Sequence, residues 1–141
     1  MDFKALMTQF AKNNHLDSLT EEKGRYTLIF GDHDVFCYSR NKCIWLEADL
    51  GKIAENTRDQ AVANNLLLTR STGFIRDERA CLSIDEETQH YYLHQRILLA
   101  NITPQNFQQS AEQFGGCLCY VADLIKQGMS GISSAAGGIQ A

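Results

Sequence analysis

Two histidines and an acidic turn are the residues whose types and spacing first suggest chemistry. His90 and His94 lie four positions apart in a run of β-forming residues, which places both on one face of a strand. Asp32, His33 and Asp34 bring further imidazole and carboxylate groups together in a turn. Such groups can ligate a metal or serve as acid and base. A structural metal site needs additional Cys or His ligands at recognisable spacing, so we predict no metal and no cofactor.

The five cysteines indicate packing rather than catalysis. Their number is odd, and no two of them form a Cys-x-x-Cys pair of the redox or zinc type. Cys117 and Cys119 point to different sides of a predicted helix, without the Cys/His motif of a thiol enzyme. Short signatures of nucleotide-binding proteins, zinc proteases and hydrolases are also missing. We therefore expect no catalytic residues, with a small hydrolase that uses His90 or His94 as the alternative.

Length and composition fit one globular domain. The chain has 141 residues, of which 44% are hydrophobic and 21% charged, so it can bury a core and is unlike a disordered chain. A formal charge of -4 and the lack of a basic run argue against nucleic acid as a partner. No apolar stretch approaches the roughly 20 residues needed to span a bilayer. The first residues lack the features of a secretory signal, so we expect a cytoplasmic protein.

The first half of the chain predicts a helix followed by an antiparallel meander. The helix has Asp2 as its N-cap and ends in the polar run before Leu16. Its large apolar residues recur at the three and four spacing of one face: Phe3, Leu6, Met7 and Phe10. From Gly24 the period changes to two. Three short strands are predicted, at residues 25–30, 35–38 and 43–48.

The second half predicts a helix, a hairpin and a long last helix. A capping-box spacing between Thr57 and Gln60 begins a helix that continues to about Arg70. Alternating residues at 80–84 and 90–98 then predict a β-hairpin. The sequence is therefore assigned to the α+β class, with an antiparallel sheet and the order α-β-β-β-α-β-β-α.

The last helix has two unusual features. Pro104 follows Thr103 as N1 follows N-cap, which is where a helix tolerates proline best. Gly115 and Gly116 lie in the middle of the helix, so either a neighbour packs very close there or the helix bends. From residue 128 to residue 141 there is no charged residue, and Gly, Ser and Ala predominate. We predict a single domain at residues 1–127 and a flexible tail at 128–141.

Two segments and the order of elements carry a resemblance to a known family. The opening Phe3–Leu16 resembles that family's start, an apolar helix with a Phe-Ala step and a short segment before a leucine. Ile97–Ala100, which leads into the last helix, is similar to the family's other recognisable stretch. With its length and acidic charge, the chain resembles the class I type III secretion chaperones, the family of CesT and the Yop effector chaperones, over about residues 2 to 127.

The resemblance implies a homodimer without enzymatic activity in the bacterial cytoplasm. Members bind the N-terminal chaperone-binding segment of a secreted effector and hold it extended and ready for export. Such binding needs apolar grooves and an available sheet edge, because an extended peptide gains main-chain hydrogen bonds by adding a strand. Some members are regulators that exchange a secreted partner for a transcriptional control protein, and that role is the alternative here.

The first helix supplies the partner-binding residues that we expect from this resemblance: Phe3, Leu6, Met7 and Phe10. One edge of its apolar face should pack on the sheet while the outer edge stays exposed for the partner. On this interpretation, Phe10→Asp abolishes partner capture with little loss of folding.

The expected dimer interface follows the family's use of its second helix and the strand region after it. The matching positions in this chain are Ala61, Val62, Leu66, Leu67, Phe74 and Ile75. The run of three leucines from Leu66 makes this helix apolar around more of its surface than a one-sided stripe requires.

Overall fold

The computed structural model describes residues 1–52, 61, 64–65 and 80–140 of the chain, with their side chains up to residue 126. This part of the chain forms two helices and six strands: α1 (Phe3–Asn13), β1 (Thr20–Glu22), β2 (Arg25–Phe30), β3 (His33–Arg40), β4 (Cys43–Lys52), β5 (Cys81–Asp85), β6 (His90–Leu98) and α2 (Pro104–Gln140). Ala61, Asn64 and Asn65 are also helical, and the rest of the helix predicted for 57–70 lies outside the described residues.

All six strands belong to one antiparallel sheet with the order β1-β2-β3-β4-β6-β5. The predicted meander is confirmed as β2-β3-β4, and the predicted hairpin as β5-β6. The hairpin joins the meander through β6, which pairs with β4 from Cys43 opposite Leu98 to Lys52 opposite His90. Among the strands that the structure describes, β1 and β5 are therefore the two edges of the sheet.

Strand β1 was missed from the sequence. It has only three residues, all exposed, and two of them are glutamates, so no apolar alternation marks it. Lys23 and Gly24 both adopt positive φ angles, 53° and 81°, in the two-residue turn that joins β1 to β2. Two positive φ angles in succession match the twist of a hairpin, which explains how so short a strand forms. The element order thus gains one strand before the predicted three.

The ends of α1 follow the sequence prediction. The Asp2 carboxylate accepts a hydrogen bond from the Ala5 backbone N–H at 2.7 Å, as an N-cap does. At the other end His15 is left-handed, with φ 58°, and the Leu16 N–H donates to the Ala11 carbonyl at 2.8 Å. This pairing closes the helix in a Schellman motif and satisfies a carbonyl that would otherwise lack a partner.

The core lies between one face of the sheet and the two helices. Phe10 of α1 meets Phe107 of α2 edge to face, with ring centroids 5.3 Å apart, and Phe3 meets Tyr26 of β2 at 5.5 Å. Alternate strand residues complete this core and are almost fully buried: Leu28, Val35, Cys37, Ile44, Leu46, Ala48, Tyr91 and Leu93. The residues between them point to the opposite face, which neither α1 nor α2 covers.

Gly115 allows a strand side chain to pack directly on the backbone of α2. A Cβ built on Gly115 would lie 2.6 Å from Cδ1 and 3.0 Å from Cγ of the Phe30 ring. The same atom built on Gly116 would meet nothing within 4 Å. Of the two explanations for the glycine pair, the close neighbour therefore applies at Gly115, and the neighbour is Phe30.

The last helix extends beyond its predicted end. Its backbone is helical to Gln140, and this range includes most of the tail that the sequence predicted from residue 128. No proline interrupts this segment, and its serines and alanines are compatible with a helix. The flexibility of residues 128–141 stays a prediction.

Substituting the two glycines should change the free energy of unfolding in opposite directions. Gly116→Ala should stabilise the protein by about 0.5–1 kcal/mol, because alanine favours the helix and its methyl group enters open space. Gly115→Ala gains the same helix preference but must displace the Phe30 ring, so we expect a net loss of about 1–2 kcal/mol. Urea unfolding followed by circular dichroism measures both values. Equal stabilisation by the two alanines would contradict the close packing of Phe30.

Candidate partner-binding surfaces

Three of the four residues predicted to bind a partner belong to the core of this chain. Leu6 is 0% exposed, Met7 1% and Phe10 7%. Only Phe3 is half-buried, where its ring packs on Tyr26. The chain's own sheet and α2 occupy the apolar face of α1, so this face cannot also receive a partner without leaving its core. The exposed outer edge that we expected on α1 is therefore reduced to Phe3, because helical spacing identifies an apolar stripe but not what covers it. Partner binding by α1 stays a prediction.

The predicted dimer residues fall almost entirely outside the described part of the chain. Ala61 is described, and it is helical and exposed. The other five positions lie outside the described residues: Val62, Leu66, Leu67, Phe74 and Ile75. The dimer interface therefore stays a prediction.

The two histidines of β6 make separate contacts. The His90 Nδ1 atom lies 2.9 Å from both carboxylate oxygens of Asp49 on β4, and its ring stacks on Tyr92 with centroids 6.4 Å apart. His94 faces Trp45 instead, with ring centroids 6.5 Å apart. Among the residues described, no group of three or more His, Cys, Asp or Glu side chains is arranged to hold a metal ion. His90 is thus part of a cross-strand contact with Asp49.

The five cysteines lie in different surroundings. Cys37, Cys43 and Cys117 are buried, whereas Cys81 and Cys119 are exposed. Burial raises the pKa of the Cys37 thiol, which keeps it protonated and unreactive. Cys117 and Cys119 do point to different sides of α2, as their spacing predicted.

The two edges of the sheet differ in their suitability for strand addition. Edge strand β1 is short, exposed and acidic, which is a common means of blocking unwanted pairing. Edge strand β5 has five residues, of which only Asp85 is charged. Within the described part of the chain, β6 is the only strand that pairs with β5. Strand β5 is therefore the better candidate to accept an extended peptide.

The face of the sheet opposite the helices is what we call the open face. Its residues include Phe36 and Tyr38 on β3, Trp45 on β4 and Tyr92 on β6. Two aliphatic side chains of this face are strongly exposed, Ile29 at 70% and Leu98 at 65%. Among the described residues, the most exposed large apolar side chains, Ile29 and Leu98, therefore lie on the open face rather than on α1.

An arginine fixes one half of the open face. The Arg25 guanidinium lies 4.5 Å from the centre of the Phe36 ring and 5.1 Å from that of Tyr38, within the range of a cation–π contact. It also approaches a Glu47 carboxylate oxygen at 3.6 Å, while the Tyr38 hydroxyl donates to the other oxygen at 3.0 Å. Burial and this hydrogen bond raise the pKa of Tyr38. Together these four residues, Arg25, Phe36, Tyr38 and Glu47, form a cross-strand stack over β2, β3 and β4.

The other half of the open face contains a cavity of about 330 Å³, which is within the size range of ligand pockets. It lies over β3, β4, β6 and β5, and the residues around it are Tyr38, Trp45, Glu47, Ser83, Ile84, Asp85, Tyr92 and His94. The indole nitrogen of Trp45 is buried, and no hydrogen-bond acceptor reaches it from the described residues. A buried N–H donor without an acceptor is costly and uncommon.

A second, wider hollow lies at the junction of the two helices. Asn14 and Gln108 exchange side-chain amide hydrogen bonds at 2.8 and 3.0 Å, and Gln108 donates onward to Glu112 at 2.9 Å. The hollow has a volume of about 790 Å³ and is lined mainly by polar side chains. Two of its lining residues, Gln108 and Glu112, already bond to each other, and its lining residues are less apolar than those of the open face.

The sequence of β3 contains a signal for the open face. In β3, Val35 and Cys37 alternate with Phe36 and Tyr38. Both alternating sets are apolar or aromatic, and one sheet face covered by helices explains only one of them. The second set indicated a half-apolar surface on the other side of the sheet.

A family model described as the Tir chaperone protein (CesT) family matches residues 5–115. No curated protein sequence matches the chain. The described part of the chain contains no helix long and apolar enough to span a bilayer.

Several solved structures share the fold at low sequence identity. The HopA1–SchA chaperone–effector complex is 13% identical, with a TM-score of 0.65, over 86% of this chain and 93% of that one. The ExsC–ExsE complex is 21% identical, with a TM-score of 0.65, over 89% and 97% of the two chains. The Yersinia pestis type III secretion chaperone SycH, in complex with a stable fragment of YscM2, is 10% identical, with a TM-score of 0.61, over 85% and 99%.

Phe10→Asp should now unfold the protein rather than spare its fold. The substitution removes the contact with Phe107 and places a charge in the core, so we expect a loss of at least about 3 kcal/mol. Thr8→Asp adds the same charge on the exposed side of the same helix and should change stability by less than about 0.5 kcal/mol. Urea unfolding compares the two variants. A folded Phe10→Asp variant of near wild-type stability would restore the original assignment of α1 as the binding face.

Proposed function

Because this chain belongs to the Tir chaperone protein (CesT) family, we propose that it is a type III secretion chaperone of the bacterial cytoplasm. It binds the N-terminal chaperone-binding segment of a secreted effector and keeps that segment extended and competent for export. The match of the family model to residues 5–115 carries the proposal, since that range includes both edges and the whole open face of the sheet.

The surfaces of the sheet supply what this task needs. An extended segment that adds to the edge of β5 gains main-chain hydrogen bonds, and its alternate side chains then face the two sides of the sheet. On the open face those side chains meet the exposed Ile29 and Leu98 and the aromatic residues between them. Main-chain pairing makes the binding tolerant of sequence, while the open face selects among side chains. While the segment is paired with β5 as a strand, it cannot fold with the rest of the effector, and it therefore stays extended.

Binding rather than catalysis is also consistent with the polar groups of the described residues. His90 is held by Asp49, and Glu47 by Arg25 and Tyr38, so these groups serve the sheet itself. A hydrolase that uses His90 or His94 would need a nucleophile or an activated water beside them. The proposal therefore includes no catalytic step and no cofactor.

A second copy of the chain completes the proposed chaperone. We place the interface at Ala61 and at the neighbouring positions named from the family resemblance. Light scattering of the purified protein at micromolar concentration should give about twice the chain mass of 15.9 kDa. A monomer under these conditions would contradict the dimer.

The proposed function is tested by recovering the partner from the native cell. The tagged chain should copurify with a secreted protein, identified by mass spectrometry. Limited proteolysis of that complex should leave an N-terminal segment of the partner intact while the free partner is cut throughout. A transcriptional control protein as the bound partner would assign the regulatory role instead. Hydrolytic turnover without any bound protein would overturn the proposal.

Substitutions on the open face should weaken capture of that partner without unfolding the chain. Ile29→Asp and Leu98→Asp each replace an exposed aliphatic group by a charge, and we expect about tenfold weaker binding, since 1.4 kcal/mol corresponds to a factor of ten. Tyr120→Asp, at an exposed aromatic residue of α2, is the matched control and should bind as the wild type does. Equal loss in all three variants would mean that the open face is not the binding surface.

A further inference from the structure

One end of the open face carries positive charges that have no carboxylate partner within the described part of the chain. Arg40 of β3 and Arg96 of β6 are both exposed, and Lys42 adds a third exposed cation in the turn between β3 and β4. Among the described residues, neither arginine takes part in an ion pair. The Glu47 carboxylate, further along β4, is already contacted by its own partners on β2 and β3. The two guanidinium groups are therefore available to a negatively charged group from outside.

The strand register places an exposed leucine within this positive region. Arg96 lies directly opposite Trp45 of β4, and Leu98 lies opposite Cys43, which in turn pairs with Arg40 of β3. Leu98 is 65% exposed and follows Arg96 by two positions, so the two side chains point to the same face of the sheet. We call the following four residues the basic corner: Arg40, Lys42, Arg96 and Leu98.

The Arg40 side chain acts on the open face. Burial and the hydrogen bond with Glu47 raise the pKa of Tyr38, while the positive charges of Arg25 and Arg40 act on it in the opposite direction. The Arg40 guanidinium is therefore within electrostatic range of the Tyr38 hydroxyl, which belongs to the open face. Its charge adds to that of Arg96 above this end of the sheet.

The charges of the open face are separated along the strands. Asp34, Asp49 and Asp85 share a face with the basic corner but lie towards the other ends of β3, β4 and β5. The chain as a whole is also acidic, with a formal charge of -4. The basic corner is thus a local exception, and charge complementarity of this kind selects partners and fixes their register on a surface.

We propose that the basic corner binds an acidic side chain of the partner segment through Arg96, while an aliphatic side chain two positions away packs on Leu98. This inference rests on the proposed function for the origin of the segment and adds a sequence requirement to it. In an extended chain, residues i and i+2 share a face and have the same spacing as Arg96 and Leu98 on β6. A guanidinium can donate two parallel hydrogen bonds to a carboxylate, whereas a basic side chain would be repelled.

Short peptides test this assignment on the full-length protein without any effector. The probe is the blocked pentapeptide Ala-Glu-Ala-Leu-Ala, followed through the backbone amide signals of Arg96 and Leu98 in nitrogen-15 NMR spectra. It should shift these signals saturably and bind about three- to fivefold more tightly than its glutamine analogue, a difference that exposed ion pairs can give. The isomer Ala-Glu-Leu-Ala-Ala should bind more weakly, because adjacent residues of an extended chain point to opposite faces. Equal binding of the glutamate and glutamine peptides, or no shift with either, would overturn the proposal.

Two further probes separate the basic corner from less specific attraction. A net charge of -4 would favour a peptide with lysine in place of glutamate, whereas the basic corner predicts the reverse order. A single-stranded thymidine oligonucleotide tests whether the positive charges serve a nucleic acid instead, and it should leave the two amide signals unchanged. Tightest binding of the lysine peptide, or tighter binding of the oligonucleotide than of the glutamate peptide, would overturn the proposal.

A pair of variants tests whether the charge acts from the basic corner. Arg96→Gln removes the charge from an exposed strand position, so it should abolish the preference for the glutamate over the glutamine peptide with the fold unchanged. Lys4→Gln makes the same charge change on the exposed side of α1 and should leave that preference intact. An equal loss of preference in both variants, or no loss in Arg96→Gln, would contradict the basic corner.

The outcomes separate this inference from the proposed function. If the glutamate peptide fails to bind while the secreted partner is still captured, only the assignment of the basic corner is removed. Conversely, specific binding of the glutamate peptide by a chain that captures no secreted protein would remove the chaperone proposal and leave the basic corner in place.

Discussion

Phe10 of α1 and Phe107 of α2 meet edge to face above the sheet, and Phe30 reaches up from β2 to the backbone of α2 at Gly115. These contacts bring both helices to the same face of one antiparallel sheet. Every strand must then divide its side chains between a sealed face and a face that neither α1 nor α2 covers. The location of the proposed binding surface follows from this division, because residues that alternate with the core cannot reach the core.

The uncovered face is neither uniformly apolar nor uniformly polar. Over β2 and β3, the Arg25 guanidinium contacts the rings of Phe36 and Tyr38 and the carboxylate of Glu47. Over β6 and β5, the aromatic rings surround a cavity and Trp45 keeps an unpaired donor. Within the described part of the chain, one part of this face is therefore held together by its own contacts, and the other surrounds a cavity. Such a contrast fits a chaperone that recognises particular side chains while main-chain pairing tolerates the rest.

Much of the fold could be predicted because local patterns determine it. The period of α1, the alternation in β2 to β6 and the Thr103-Pro104 start of α2 each reflect a preference that the neighbouring residues alone express. Strand β1 escaped because three exposed polar residues carry no pattern and depend on the turn at Lys23 and Gly24. The glycine pair could be recognised as unusual, but only the structure shows that Phe30 packs against one of the two.

The candidate site was less predictable for a physical reason. The apolar stripe of α1 has the same spacing whether its own sheet or another protein covers it. The sequence alone therefore could not tell whether Leu6 and Phe10 are core residues or residues of an exposed groove. The cavity is harder still to foresee. It joins Trp45, Asp85 and Tyr92 from three strands, and Asp85 reaches it only because the hairpin enters the sheet beside β4.

The strand order also has a consequence for how fast the chain can fold. Strands β1 to β4 are joined by short turns, so each pairs with a neighbour that is close in sequence and can form early. The β4–β6 ladder is different, since it joins Cys43 to Leu98 and requires residues that are far apart in sequence to meet. We expect this closure to dominate the folding barrier, with the hairpin docking late onto a meander that has already formed. Until the hairpin docks, the backbone edge of β4 that pairs with β6 stays unpaired. We expect the chain to be most prone to aggregation during that interval.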